Sequence, residues 1–210
     1  MTDQDPNERQ RRFKRRGQIT AIGLITVVAL PMLIAYVLFQ TGVGIPDGQV
    51  NQGELLDPPQ RFTQWQPETL AGEAWTLDPE QKRWRYVIPV DAECGERCQA
   101  NLYLTRQVHV RLADKAYRVK RIILPVGGEP SDALLEQWRE EHPGTEVLRP
   151  EEATMMASLA DTNLPGNPVS EGRYFLMDQE GFVMMAYGPD HTGNQLLKDI
   201  KRLLRYSYED

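Results

Sequence analysis

Side chains suited to redox or metal chemistry are scarce in this chain, whose 210 residues include two cysteines and three histidines. That scarcity excludes a zinc finger or ribbon, which needs four such ligands at close spacing, and a fold stapled by several disulfides. No glycine-rich phosphate loop of the Walker or dinucleotide type occurs, so the activities those loops serve are also excluded. There is no internal repeat and no low-complexity tract. Long uncharged runs are equally few. Residues 19–39 form one, 21 residues long, so the chain is not patterned as a multi-span membrane protein.

At about 1.5 Å per residue that run covers roughly 30 Å, the thickness of a bilayer's hydrocarbon core. Residues 1–16 before it hold six basic side chains (Arg9, Arg11, Arg12, Lys14, Arg15, Arg16) against three acidic ones. A cleaved signal peptide would have a shorter apolar region and a small-residue cleavage site, which Gln40-Thr41-Gly42-Val43-Gly44 does not supply. Arg11-Arg12-Phe13 resembles a twin-arginine signal only in outline. A buried core helix would not need flanking arginines. The pattern predicts one membrane helix over residues 18–39, with Pro31 inside it, after a basic tail of residues 1–17. By the positive-inside rule the tail is cytoplasmic. The main domain then lies on the periplasmic or extracytoplasmic side of a bacterial inner membrane. With the N-terminal six and three removed from 24 basic and 30 acidic residues, that outer part carries 18 and 27, a net charge of −9. Nucleic acid wants the opposite sign and is not expected as a partner.

Residues 40–83 read as a tether and lead-in. Gly42, Gly44, Pro46, Gly48, Gly53, Pro58 and Pro59 break any period, while Leu55-Leu56, Phe62, Trp65, Leu70, Trp75 and Leu77 provide apolar anchors that pack in short pieces. Residues 84–210 read as an α/β domain. Residues 85–90 and 118–126 are buried strands, and 94–112 and 131–141 are helices. Val147-Leu148 is a strand stub and 150–161 a further helix. Residues 173–178 and 182–187 form a hairpin through Gln179-Glu180-Gly181. The last helix begins at a capping box, Thr192 with Gln195, and carries Leu196, Leu197, Ile200, Leu203 and Leu204 on one stripe. Strand–helix–strand–helix followed by hairpin–helix is the thioredoxin-like plan. The expected fold is thus a thioredoxin-like domain preceded by a single transmembrane helix.

Cys94 and Cys98 stand just after the first strand of this domain, at the start of its first helix. At i and i+4 they share one helix face, and a helix N-terminus favours a thiolate. Three roles follow from the residues. A structural staple constrains little across so short a loop. A redox couple would expose Cys94 and use Cys98 as the resolving sulfur. A metal site would use both thiolates for a soft ion, copper(I) first. Spacing alone does not separate the last two.

The strand, C-x-x-x-C, helix order, continued by residues 118–131 and by Tyr174-Phe175-Leu176-Met177-Asp178-Gln179-Glu180-Gly181, resembles the Sco/SenC family of membrane-anchored, thioredoxin-like proteins over roughly residues 84–206. The resemblance implies assembly of a copper centre in a respiratory haem-copper oxidase, by delivering copper or by reducing the recipient's cysteines. A cytochrome c oxidase subunit or another membrane-embedded protein would be the partner. Asn51-Gln52-Gly53-Glu54-Leu55-Leu56 also resembles a segment of anchored proteins associated with such oxidases. Two positions depart from the family. Gln99 stands where it has proline after the second cysteine, and Ser170 stands where it has its copper-ligating histidine. Among replacements, His109 lies too far along the helix and His142 reads as a solvent-facing cap residue. His191, in the loop before the last helix, is the candidate third ligand. Met155-Met156 and Met184-Met185 read as core. Pro165 and Pro168 sit away from the offset of a thioredoxin cis-proline, which favours a dedicated partner over many substrates. The reading from a different class is a non-catalytic interaction subunit with a structural Cys94–Cys98 disulfide.

Overall fold

A computed structural model describes residues 6–41 and 50–207. It divides into two units, Met1–Gln49 and Val50–Asp210. In the first, helix α1 spans Pro6–Thr41 and continues through Pro31. It therefore includes most of the basic segment that was expected to precede it as a tail. Its stretch Thr20–Thr41 is long and apolar enough to cross a membrane, and none of it is buried. Gly42, Gly44, Pro46 and Gly48 of the expected tether lie outside the described residues.

In the second unit the strands are β1 (Glu54–Arg61), β2 (Glu68–Thr69), β3 (Trp84–Val90), β4 (Val119–Pro125), β5 (Thr145–Arg149), β6 (Tyr174–Met177) and β7 (Phe182–Tyr187). The helices are α2 (Glu96–Val110), α3 (Asp132–Glu141), α4 (Glu152–Ala160) and α5 (Gly193–Tyr206). The sheet order is β1-β7-β6-β3-β4-β5-β2. β3, β4 and β5 run parallel, β6 adds antiparallel to β3, and β7 antiparallel to β6. The stub expected at Val147-Leu148 is a full strand, and the expected helix start at Cys94 moves to Glu96.

The lead-in contributes more than short pieces. β1 pairs with β7 at one edge of the sheet and β2 pairs with β5 at the other. Between them Phe62 and Trp65, in a 3-10 turn, are fully buried.

Alternation along the strands feeds two cores, as a sheet covered on both faces requires. Tyr86, Ile88 and Ile123 face α2, α3 and α5 with Leu102, Trp138, Leu196 and Ile200. Val87, Ile122 and Leu124 face the opposite way, toward Phe62, Trp65 and, from α4, Met155 and Leu159. Met155 and Met185 are buried core residues, with Met156 and Met184 packed partly buried beside them. Helix ends follow the sequence closely. Ser131 Oγ accepts from Leu134 N–H at the start of α3, and the Thr192–Gln195 capping box is formed at α5.

Candidate functional site

Strand β3 delivers the cysteine segment to one end of the sheet, where Val126 N–H donates to Val90 O at 2.8 Å and holds the ends of β3 and β4 together. The chain then turns on Asp91, whose carbonyl accepts from Cys94 N–H at 3.3 Å and whose Oδ1 accepts from Gly95 N–H at 3.4 Å. Cys94 takes a left-handed backbone conformation, φ 48°, which is unfavourable for a residue with a Cβ. Gly95 caps α2, and Cys98 lies in the first turn. The two sulfurs form a disulfide with Cα atoms 5.0 Å apart.

The two cysteines face different spaces. Cys98 lines a cleft of about 680 Å³, opposite Asn167, Val169 and Ser170 of the loop before β6. Cys94 lines a smaller cavity of about 350 Å³ between α2 and α3. Cys94 is 2% exposed and Cys98 7%. Cys94 was expected to be the exposed sulfur; both cysteines are buried, Cys94 slightly the more so. The left-handed turn folds Cys94 inward, and Cys98 is the sulfur on the wider opening.

Across the cleft, residues 167–173 form a compact turn whose backbone groups are paired. Asn167 Oδ1 accepts from Val169 and Ser170 N–H at 2.9 and 3.4 Å. From α2, Arg97 Nη1 donates to Ser170 O at 2.7 Å and Asn101 Nδ2 to Gly172 O at 3.1 Å. Among the described residues the one cis peptide is Asp57–Pro58, so neither Pro165 nor Pro168 supplies a cis-proline.

Ser170 does lie on the same cleft as Cys98. Its hydroxyl, however, donates to Asn167 O at 3.1 Å and is a hard, neutral oxygen, unsuited to copper(I). His191 is not brought into this arrangement. Gly188 N–H donates to its Nδ1 at 3.0 Å, which places the ring proton on Nε2, and Nε2 donates to Gln52 O at 3.0 Å. Both ring nitrogens are thus engaged, and the ring packs edge-on against Tyr187. His109 Nε2 contacts the Ala116 and Val119 carbonyls at 3.0 and 2.9 Å, joining the end of α2 to β4. Burial is the main cause that holds its pKa below the ordinary imidazole value. Among the described residues no group of three His, Cys, Asp or Glu side chains converges to hold a metal ion. The donors present do not fit a three-ligand copper site.

One residue was misjudged from sequence. His142 is not a solvent-facing cap: the residue is 7% exposed, and it lines the cavity that Cys94 also lines. The Pro143-Gly144 stop after α3 marked a helix end and hid this burial.

A sequence family described as transmembrane-like, thioredoxin-like, C-terminal domain matches residues 84–207. No curated protein sequence matches the chain. Among solved structures, yeast Sco1 with copper bound is similar at 15% identity and TM-score 0.51, over 77% of this chain and 97% of that one. Apo Sco1 from Thermus thermophilus is similar at 17% identity and TM-score 0.54, over 74% and 99%. A third is BsSco, of the Sco family of cytochrome c oxidase assembly proteins, in which a disulfide switch was identified. It is similar at 13% identity and TM-score 0.51, over 76% and 100%. At these identities the likeness is one of fold.

Proposed function

The chain belongs to the transmembrane-like, thioredoxin-like family matched over residues 84–207, and on that footing we propose that it is a membrane-anchored thiol–disulfide factor in the assembly of a respiratory cytochrome c oxidase. The observation that carries this reading is the Cys94–Cys98 disulfide at the first turn of α2, with Cys98 on an open cleft. A disulfide so placed can be attacked by a partner's thiolate, and a short loop adds little as a staple. The anchor is the Thr20–Thr41 stretch of α1, with the arginine-rich end cytoplasmic and the cysteine pair on the oxidising side. A partner embedded in the same membrane and carrying exchangeable cysteines, such as an oxidase subunit, suits that arrangement. The Sco fold and the oxidase-assembly role of BsSco support it. Copper is a weaker cargo here, because the reduced pair would offer two sulfurs without the third ligand.

Reduction and cell-based assembly test the reading together. The Cys94–Cys98 bond should open with a small dithiol, and Cys94→Ala and Cys98→Ala should each strongly reduce the amount of assembled oxidase. Copper(I) titration of the reduced chain should give the same result for wild type and His191→Ala, since that ring is committed to Gln52 and Gly188. If both cysteine variants leave oxidase assembly intact, the reading fails and the structural-disulfide alternative takes its place.

A further inference from the structure

We propose that His142 is the proton-holding partner of Cys94, engaged when the disulfide opens, inside the cavity between α2 and α3. The proposal rests on the thiol–disulfide reading and extends it to the sulfur that leaves. Cys94 and His142 line one partly open space of about 350 Å³, together with Arg106, Trp138 and Glu141. His142 is held there by its backbone: its N–H donates to Trp138 O at 2.9 Å, and its carbonyl accepts from Thr145 N–H at 3.2 Å. The residue is more than nine-tenths buried, yet Nδ1 has no hydrogen-bond partner. Buried polar nitrogens are nearly always paired, so an unpaired one calls for a functional explanation.

The charges around the ring favour an anion. Arg106 from α2, Arg121 from β4 and Glu141 from α3 act on it, two cations against one acid. Arg121 is itself buried, with Nη1 unpaired, and burial reinforced by Arg106 pulls its guanidinium pKa down to about 10. Burial and the two arginines likewise hold the His142 ring toward its neutral form. A thiolate at Cys94 would meet this positive surrounding and a ring nitrogen able to share a proton with it.

The chemistry balances with a dithiol as reductant. A thiolate of the dithiol attacks Cys98 Sγ from the wide cleft. The Cys94–Cys98 bond breaks, its electron pair leaves on Cys94, and a mixed disulfide joins Cys98 to the dithiol. Nδ1–H of the neutral His142 ring donates a hydrogen bond to the departing Cys94 thiolate, which then takes its proton from solvent. The dithiol's second sulfur then displaces Cys98, so two electrons and two protons have passed to the cysteine pair. A better-stabilised leaving thiolate departs faster.

The test measures opening of the disulfide by dithiothreitol in the full chain in detergent, from about pH 5.5 to about 8.5, a span that brackets the imidazole and thiol ranges. His142→Gln should open roughly tenfold more slowly, because the leaving thiolate loses the ring N–H that stabilises it. His109→Gln, a half-buried histidine near the far end of α2 and outside the cavity, should alter thermal stability without slowing opening. In the wild type the His142 ring nitrogen resonances should shift on reduction, a readout that does not depend on a variant folding. Equal rates for wild type and His142→Gln, equal slowing by His109→Gln, or resonances that stay put would each overturn the proposal. A wild-type disulfide that dithiothreitol leaves closed would instead sink the reading beneath it.

Discussion

Gln99 illustrates how single positions settle the site. Where the resembling family has proline, its backbone N–H donates to Gly95 O at 3.1 Å and its side-chain amide to Cys94 O at 3.3 Å. A side chain thus secures the turn that a ring would otherwise stiffen. The cysteine pair itself was legible because there are only two and their spacing places them on one turn. The fate of His191 was not, since its partner Gln52 lies 139 residues away in sequence. Gln52 belongs to a knot at the start of the folded unit. Buried Asp199 accepts from Gln52 N–H at 2.9–3.0 Å, from Gly53 N–H at 2.9 Å and from Tyr187 OH at 3.1 Å. A Cβ on Gly53 would sit 2.6 Å from the Tyr187 ring and 2.9 Å from Met185. Gly53→Ala should therefore destabilise the domain by about 1–3 kcal/mol, the usual cost of overpacking. Thermal melting measures it, and a variant as stable as wild type would show that the ring moves aside freely.

At the scale of elements, period and caps identified β3, β4, α3, α5 and the β6–β7 hairpin, whose patterns are set within each segment. The two edge strands were missed. β1 contains Pro58 and Pro59, which cannot donate to a ladder, and β2 is two residues long. Neither has a strand pattern of its own, and each is a strand because an open sheet edge lies beside it. What fixes the lead-in between these edges is Trp65, fully buried against Phe62 and Phe175, with Nε1 donating to Ser158 Oγ at 3.1 Å. Trp65→Ala should cost about 3–5 kcal/mol, much of the ~5–15 kcal/mol that holds a domain folded. Chemical denaturation should show a midpoint shifted far down. A small shift would mean that the second core closes without the lead-in.

In the folded unit as a whole the two sheet faces differ in kind. Among the described residues, the buried side-chain polar atoms without partners include Trp84 Nε1, Tyr86 OH, Arg121 Nη1 and Tyr174 OH. Trp84, Tyr86 and Tyr174 belong to the core that also holds both cysteines, and Arg121 shares that face by alternation with Val119 and Ile123. In the opposite core the polar groups are paired, Trp65 Nε1 donating to Ser158 Oγ and Ser158 Oγ to Gln60 Oε1.

Stability should therefore respond to pH through the histidines on the first face. His109 and His142 have pKa values lowered chiefly by burial, so the unfolded chain binds their protons more readily than the folded one. Their contribution is full above the unfolded value of about 6.5 and is lost as pH falls from there through the depressed folded values. Asp178, raised chiefly by burial, acts in the opposite sense in the more acidic carboxylate range. The melting temperature should drop by several degrees between about pH 7 and pH 5, and a flat profile would count against the buried neutral histidines.

Composition and local period alone determined the membrane-length helix, the thioredoxin-like order of strands and helices, and the cysteine pair, because each is encoded within a few consecutive turns. Only the tertiary structure decided which sulfur faces the cleft, that His191 is tied to the lead-in, that Ser170 reaches the site with its hydroxyl already bonded, and that His142 is buried beside the Cys94 cavity. Those outcomes depend on which distant segments meet, and a neighbour tens of residues away leaves no periodic trace at the position it satisfies.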